Sequence, residues 1–131
     1  MIIKSVSSDR LIIEVNINNK KGYMLVDTGA SIGLIDIDSI DEYHFDLGKQ
    51  LNTVISGVGG ESQSEVYYTK NLNVDIQGIP VHQLVATDIS SVKHSIKQNT
   101  GITICGILGL TQIKLTEMKI AADCNTIKLG Y

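Results

Sequence analysis

The sequence predicts a single, mainly β, barrel-like domain that covers residues 1–131, and three observations support this prediction. Short runs of apolar residues recur along the chain, and some of them alternate with polar residues. Turns rich in glycine and asparagine separate these runs, whereas only a few short segments have apolar residues at helical spacing. No linker, repeat or low-complexity segment divides the chain, which is long enough to bury one core.

The first predicted element is a β-hairpin. Residues 11–18 alternate between apolar and polar side chains, which predicts a strand with one buried face. A polar turn over residues 18–22 and an apolar run over residues 23–27 complete the hairpin. The side chains expected on the buried face are those of Ile13, Val15 and Ile17.

The later elements follow from the same signals. Further strands are predicted over residues 34–35, 51–56, 65–76, 81–86, 102–108, 120–123 and 127–129. Glycine-containing turns are predicted at residues 57–60 and 77–80, and the last hairpin is expected to turn at Asn125. Short helices are predicted within residues 36–45, 88–96 and 111–118. Asp88 is the expected cap of the second helix, and the core-facing residues of the third are Ile113, Leu115 and Met118.

Composition excludes several classes of function. A net charge of −3 and a hydrophobic content of 43% describe an ordinary folded domain. The Lys and Arg residues are scattered and form no basic stripe, so no nucleic-acid partner is expected. No apolar run approaches the ~20 residues that cross a bilayer, and the first residues lack the features of a signal peptide. No membrane contact is therefore expected.

The cysteines, histidines and acidic residues predict neither a metal site nor a cofactor. The two cysteines, Cys105 and Cys124, favour reduced thiols in a cytoplasmic protein over a disulfide framework. They do not lie at metal-ligand spacing from the histidines, which are His44, His82 and His94. An acidic cluster is interpreted as a solvent-exposed face, and it consists of Asp36, Asp38, Asp41, Glu42 and Asp46.

The most informative motif is Asp27-Thr28-Gly29-Ala30, which follows the apolar residues 23–26. An apolar strand can carry an aspartate to the floor of a cleft, and a following glycine lets backbone N–H groups approach the carboxylate. Two such carboxylates that face each other can share one proton and activate a water molecule. Alone, the motif is more often a polar turn between two strands, which Asp and Gly favour.

Three stretches of the chain resemble the retropepsin-like (retroviral-type) aspartic proteases. The first is Tyr23-Met24-Leu25-Val26-Asp27-Thr28-Gly29-Ala30-Ser31, and the second is Ile55-Ser56-Gly57-Val58-Gly59-Gly60. The third is Ile104-Cys105-Gly106-Ile107-Leu108-Gly109-Leu110. Their order and separation fit the family, with about 30 residues between Asp27 and the second stretch and about 50 more before the third.

The resemblance implies a closed or partly open β-barrel with one or two short helices and a flap hairpin. It implies that Asp27 is catalytic, that Thr28 hydrogen-bonds across a two-fold axis, and that Gly29 and Ala30 line the substrate backbone. The flap that covers the substrate is implied for Ile55, Gly57, Val58, Gly59 and Gly60. The supporting strand implied beneath the active loop contains Ile107, Leu108 and Gly109.

A single Asp-Thr-Gly motif predicts that two chains build one active site. The other candidates, Asp88 and Asp123, lack the glycine. An active enzyme would be a symmetric homodimer with one Asp27 from each subunit, hydrolysing a protein or peptide substrate held in an extended conformation. By resemblance, residues 1–6 and 127–131 are candidates for a sheet shared between the subunits.

The chain departs from the family after the third stretch. The family often has Asp, Asn or Arg there, whereas this chain has Leu110, Thr111 and Gln112. The departure concerns the contacts of the dimer and of the substrate pockets rather than the chemistry of Asp27. Thr111 is expected to cap the helix that follows.

Three other interpretations compete with an aspartic protease. Residues 29–33 also match Gly-x-Ser-x-Gly, the nucleophile elbow of α/β-hydrolases, with Ser31 as nucleophile and Asp88 and His94 downstream. Residues 57–62 could suggest a phosphate-binding loop, but a Walker lysine is missing. The third alternative is a retropepsin-fold dimer that binds extended peptides without cutting them.

Overall fold

The computed structural model describes residues 1–51, 65–121, 123 and 125–130. Within these residues the chain is mainly β, as predicted, with short helices between the strands. The strands are β1 (Ile2–Lys4), β2 (Ile12–Ile17), β3 (Lys20–Val26), β4 (Gly33–Asp36), β5 (Asp46–Leu51), β6 (Val66–Lys70), β7 (Val74–Ile76), β8 (Ile79–Val81), β9 (Leu84–Thr87), β10 (Gly106–Leu108), β11 (Lys119–Ala121) and β12 (Thr126–Lys128). A 3₁₀ turn at Ile37–Ser39 precedes α1 (Ile40–Tyr43), and the other helices are α2 (Ser90–Thr100) and α3 (Leu110–Leu115).

The predicted first hairpin is confirmed. Strands β2 and β3 pair antiparallel through a turn at Asn18 and Asn19, whose φ angles of 47° and 67° suit the twist of a two-residue hairpin. The predicted inward face is correct, because the side chains of Ile13, Val15 and Ile17 are buried. This hairpin forms the base from which the chain enters the Asp27 loop.

Strand β10 occupies the centre of a sheet that has nine strands among the described residues. The order of the strands is β5-β6-β9-β4-β10-β3-β2-β7-β8. Strand β10 runs parallel to β3, with Leu108 opposite Val26, and antiparallel to β4, with Ile107 opposite Leu34. The strands that enter and leave the Asp27 loop are therefore held apart by a strand from much later in the sequence.

Two apolar clusters fill the interior. The larger one contains Ile13, Phe45 and Ile76 among its buried members. The second is covered by α2, whose Ile96 is 1% exposed and packs in the same cluster as Leu34. Burial on both sides explains why β10 is a continuous apolar run rather than an alternating one.

Several predicted boundaries differ from those of the structure because residues with positive φ interrupt the strands. The predicted strand over residues 65–76 is broken at Asn71, where φ is 58°, and the strand over residues 81–86 is broken at Gln83, where φ is 65°. Helix α2 extends beyond its predicted end and stops at Gly101, whose φ is 79°. Asp88 is not its N-cap; the carboxylate instead accepts a hydrogen bond from Ser90 N–H at 2.8 Å.

The prediction for the third helix needs correction, whereas the sheet that terminal segments were expected to share between subunits stays a prediction. Ile113 and Met118 are buried as expected, but the prediction for Leu115 was wrong, because this side chain is 53% exposed at the last residue of α3. The last hairpin does turn at Asn125, and β11 pairs with β12. Strand β1 pairs with the other side of β12, so the two terminal segments meet within one chain. Within the part of the chain that the structure describes, no helix is long and apolar enough to span a membrane.

Candidate active site

Strand β3 delivers Asp27 to the end of a buried strand. The residues before it, Met24, Leu25 and Val26, are buried, and the N–H group of Asp27 donates to the carbonyl of Leu108 at 2.9 Å. The aspartate itself is only partly buried. The apolar strand thus carries a carboxylate to a point that solvent or a ligand can reach.

Residues 27–30 form a tight loop around this carboxylate. The N–H group of Gly29 donates to Oδ1 of Asp27 at 2.8 Å, and the N–H group of Ala30 donates to the Asp27 carbonyl at 3.2 Å. A Cβ atom at position 29 would lie 3.1 Å from the same Oδ1, so a side chain there would crowd the carboxylate. Thr28 and Gly29 are exposed, whereas Ala30 is 2% exposed.

The segment after β10 holds the other side of the loop. The N–H group of Leu110 donates to the carbonyl of Ala30 at 2.8 Å, and the Thr111 hydroxyl donates to the carbonyl of Ser31 at 2.9 Å. At Gly109 a Cβ atom would overlap the carbonyl oxygen of Ile32 and lie 2.8 Å from that of Ala30. This close approach requires a residue without a side chain.

The structure places the predicted supporting strand directly beside the loop. Ile107 and Leu108 are almost fully buried, at 1% and 0% exposure, and Gly109 adjoins the loop backbone. The predicted flap residues Ile55, Gly57, Val58, Gly59 and Gly60 lie outside the described residues. The strands that flank this segment pair antiparallel, with Leu51 opposite Val66.

The sequence did not reveal the roles of two residues, Thr111 and Gln112, that hold the start of α3 against the Asp27 loop. Thr111 was expected to be the N-cap of α3, but the N-cap is Gly109, and the Thr111 hydroxyl bonds to the loop instead. Gln112 is 1% exposed, and its Oε1 accepts a hydrogen bond from Gly109 N–H at 3.1 Å. A glutamine three residues after an N-cap is half of a capping box, and this signal was available in the sequence.

The prediction of a solvent-exposed acidic face was wrong for Asp36. This carboxylate is 1% exposed and forms an ion pair with Lys93 of α2 at 2.6 Å. The hydrogen bond to Asp36 raises the pKa of Lys93, and the charges of Asp36, Asp38 and Asp88 act in the same direction. Oxygen atoms of these three aspartates lie within 4.8 Å of one another, and the Lys93 ammonium group forms its ion pair with Asp36 among them.

A second polar region lies at the opposite end of β3 from Asp27. A cavity of about 290 Å³ is lined there by Gly22, Tyr43 and Cys105, together with the Asp36–Lys93 pair. Burial raises the pKa of the Cys105 thiol to about 12 and also raises the pKa of Tyr43. Cys105 is therefore a free, buried thiol that stays protonated at neutral pH.

The nucleophile-elbow interpretation of residues 29–33 is wrong. That motif needs a strand, a sharp turn and then a helix. Here Gly33 begins strand β4, which pairs with β9 and β10. The suggested phosphate-binding loop lies outside the described residues.

The fold and the braced Asp-Thr-Gly loop together define an aspartic-protease-type domain. A sequence model of the family described as "Aspartyl protease" matches residues 13–111, and the chain belongs to this family. The matched residues run from the first hairpin to the Thr111 brace. No curated protein sequence matches the chain.

Solved structures of retropepsin-like proteases share the fold. The EIAV protease complexed with the inhibitor HBY-793 is 20% identical with a TM-score of 0.58, covering 86% of this chain and 92% of that one. A retropepsin-like aspartic protease from Rickettsia conorii is 21% identical with a TM-score of 0.61, covering 100% and 89%. The retroviral protease-like domain of Ddi1 from Leishmania major is 16% identical with a TM-score of 0.60, covering 92% and 87%. At these identities the likeness establishes the retropepsin-like fold.

Proposed function

We propose that the protein is an aspartic endopeptidase that acts as a homodimer, with Asp27 of each subunit in one shared site. The observation that carries the proposal is the partly exposed Asp27 carboxylate in a loop that residues 108–111 fix in place: Leu108 accepts from Asp27 N–H, and Leu110 and Thr111 donate to the carbonyl groups of Ala30 and Ser31. Membership of the aspartyl protease family supports the same chemistry. A cytoplasmic location stays a prediction from the sequence.

The mechanism follows from placing two carboxylates side by side. At about 3 Å apart they cannot both be ionised, so the pair holds one proton. The ionised carboxylate takes a proton from a water molecule as the water oxygen attacks the scissile carbonyl carbon, and the protonated one donates to the carbonyl oxygen. Because the two carboxylates are coupled, their titration belongs to the pair and not to either chain.

The homodimer is proposed because the chain has a single Asp-Thr-Gly motif and leaves apolar side chains exposed on β1 and on the segment that bonds to the Asp27 loop. Leu110, which bonds to the Asp27 loop through its backbone, is 37% exposed, and Ile2 of β1 is 73% exposed. A two-fold axis next to the loop would bring both carboxylates together and cover apolar surface of this kind. Thr28, exposed beside Asp27, is the residue proposed to bond across the axis.

The proposed substrate is a peptide held in an extended conformation over Gly29 and Ala30. The flap residues 55 and 57–60 stay a prediction, supported by the antiparallel pairing of the strands on either side of them. A cavity of about 530 Å³ is lined by apolar side chains such as Leu51 of β5, Val85 of β9 and Ile32, which lies two residues after the Asp27 loop, and by polar residues such as His82 and Gln83. The aliphatic part of this lining favours aliphatic or aromatic side chains in the substrate.

The decisive experiment is cleavage of a peptide library, read by mass spectrometry between pH 4 and pH 7 at high protein concentration. Wild type is compared with Asp27→Asn and with the control Asp41→Asn, which alters an exposed aspartate of α1. We expect cleavage by wild type and by the control, strongest at mildly acidic pH, and none by Asp27→Asn. Turnover by Asp27→Asn would refute the assignment, and silence from all three would favour the peptide-binding alternative.

Mixing the two chains tests whether the site is shared. Equal amounts of wild type and Asp27→Asn that exchange subunits leave about a quarter of the dimers with two aspartates. Activity per wild-type chain should then fall to about half. Activity that stays proportional to the wild-type chain would show that each subunit works alone.

A further inference from the structure

Gln112 is a buried polar side chain whose hydrogen-bonding groups are all directed at backbone. Its Oε1 accepts from Gly109 N–H at 3.1 Å. Its Nε2 donates to the carbonyl of His82 at 3.1 Å and to the carbonyl of Gln83 at 3.2 Å. The side chain is 1% exposed, so the protein supplies these partners in place of water.

These three bonds join two regions that are far apart in sequence. One is the corner between β8 and β9, where Gln83 has a φ of 65° and, with His82, lines the cavity of about 530 Å³. The other is Gly109, which adjoins the carbonyl groups of Ala30 and Ile32 in the Asp27 loop. Gln112 is thus placed between the wall of the cavity and the floor of the active loop.

The amide group of Gln112 packs closely against Gly33. A Cβ atom on Gly33 would overlap the amide carbon and oxygen of Gln112, so the first residue of β4 packs directly on this side chain. An apolar side chain at position 112 would leave the Gly109 N–H group and two carbonyl groups without their bonds. The bond from Gly109 N–H to Gln112 is buried, so this N–H group regains a partner only if Gly109 moves, and the movement would be passed to Ala30.

We propose that Gln112 is a positioning residue for Asp27: it holds Gly109, and through Gly109 the active loop, at the distance from the β8–β9 corner that catalysis requires. The proposal rests on the proposed protease function for its kinetic test. It extends that function, because neither the Asp-Thr-Gly motif nor the supporting strand includes this residue. The side chain touches no substrate and acts only through the loop.

The test compares Gln112→Met with Thr116→Val. The Thr116 hydroxyl donates to the backbone carbonyl of Gln112 at 2.8 Å in the same buried region, so its removal costs one buried hydrogen bond there and leaves the three bonds of the Gln112 side chain in place. We expect Gln112→Met to lower kcat by roughly 10- to 100-fold with little change in KM, because small displacements of catalytic groups have effects of this size. Thr116→Val should lower Tm but keep kcat within about twofold of wild type.

A conservative variant, Gln112→Glu, tests whether Gln112→Met loses activity only because it unfolds. The carboxyl group introduced by Gln112→Glu would be buried, and burial raises its pKa, so at mildly acidic pH it stays neutral. It can then accept from Gly109 N–H and donate to one of the two carbonyl groups. We expect this variant to fold and to recover most of the kcat lost in Gln112→Met.

A spectroscopic measurement separates this proposal from the protease assignment. The Gly29 amide, which donates to Asp27, should shift in the ¹⁵N–¹H spectrum of Gln112→Met and stay in place in that of Thr116→Val. If wild type cleaves nothing, the protease assignment fails, while the Gly29 shift still decides whether Gln112 positions the loop. An unmoved Gly29 signal, or equal kcat in Gln112→Met and Thr116→Val, would overturn the proposal.

Discussion

Replacement of Lys93 by methionine tests how the end of β4 is anchored to α2. Lys93 Nζ lies 2.6 Å from Asp36 Oδ2, and the other carboxylate oxygen, Oδ1, accepts from Asp38 N–H at 3.1 Å. The Asp36 side chain is 1% exposed, whereas that of Lys93 is 31% exposed. Lys93→Met therefore leaves a buried charge with one backbone donor, while the methionine keeps most of the apolar stem.

The loss of stability expected for Lys93→Met can be worked out from this geometry. Removal of one partner of a buried ion pair destabilises a protein by about 3–5 kcal/mol, and the partial exposure of Lys93 places this pair at the lower end, near 3 kcal/mol. With about 2.1 cal/mol/K of unfolding entropy per residue, 131 residues give about 0.28 kcal/mol/K. The Tm of Lys93→Met should then fall by roughly 11 °C.

Removal of the other partner, Asp36, should destabilise the protein less than Lys93→Met does. Asp36→Asn removes the buried charge, keeps an acceptor for Asp38 N–H and leaves a lysine that can turn towards water, so we expect a loss of stability of about 1–2 kcal/mol.

The pKa of Lys93 is raised above its ordinary value of 10.5 in the folded protein. The pair therefore contributes fully below pH 10.5 and is lost as the pH rises further.

Urea unfolding at pH 7 of wild type, both single variants and the double variant measures these terms. The double variant should be less destabilised than the sum of the two single losses, because it removes the pair without leaving a buried charge. The reasoning would be refuted by a loss below about 1 kcal/mol for Lys93→Met, or by a loss no larger than that of Asp36→Asn.

Three further predictions concern Gly109 and Cys105. Gly109→Ala should lose about 1–3 kcal/mol of stability and most of the peptide-cleaving activity, because its Cβ would meet the backbone oxygens of Ala30 and Ile32. Urea unfolding measures the first loss and peptide cleavage the second. Gly48→Ala is its control, since its nearest neighbour would be Tyr68 Cβ at 3.2 Å, and equal losses would contradict the prediction. Cys105 should resist iodoacetamide at pH 8 in the folded protein and react in urea, as read by peptide mass spectrometry; equal labelling rates would contradict its burial. Its pKa of about 12, against an ordinary 9.0, also predicts that stability falls as pH rises from 9 towards 12, because the unfolded thiol releases its proton first.

Local patterns in the sequence predicted the parts of the fold that depend on local interactions. The alternation in residues 12–17 and the turn at Asn18 and Asn19 define one hairpin without reference to the rest of the chain. The Asp27 motif was equally visible, because an apolar strand and a glycine-containing loop are neighbours in sequence.

What the sequence could not show depends on partners far along the chain. Asp36 was assigned to an exposed face because its neighbours are acidic, but Lys93 of α2 pairs with it inside the protein. Leu115 follows the helical spacing of a core residue, yet α3 ends there and leaves it exposed. The role of Gln112 depends on the carbonyl groups of residues 82 and 83, which no local pattern relates to it.

The central position of β10 also determines when the site can form during synthesis. The two strands on either side of the Asp27 loop emerge from the ribosome early, but the strand that lies between them emerges only after α2. Contacts between residues so far apart in sequence form slowly. Until these contacts form, the edges of the apolar strands β3 and β4 that β10 will cover stay open to other chains. The Asp27 carboxylate therefore gains its fixed geometry only after β10 and the start of α3 have been synthesised, and a nascent chain that stops before Leu110 lacks the hydrogen bond from Leu110 N–H to the carbonyl of Ala30.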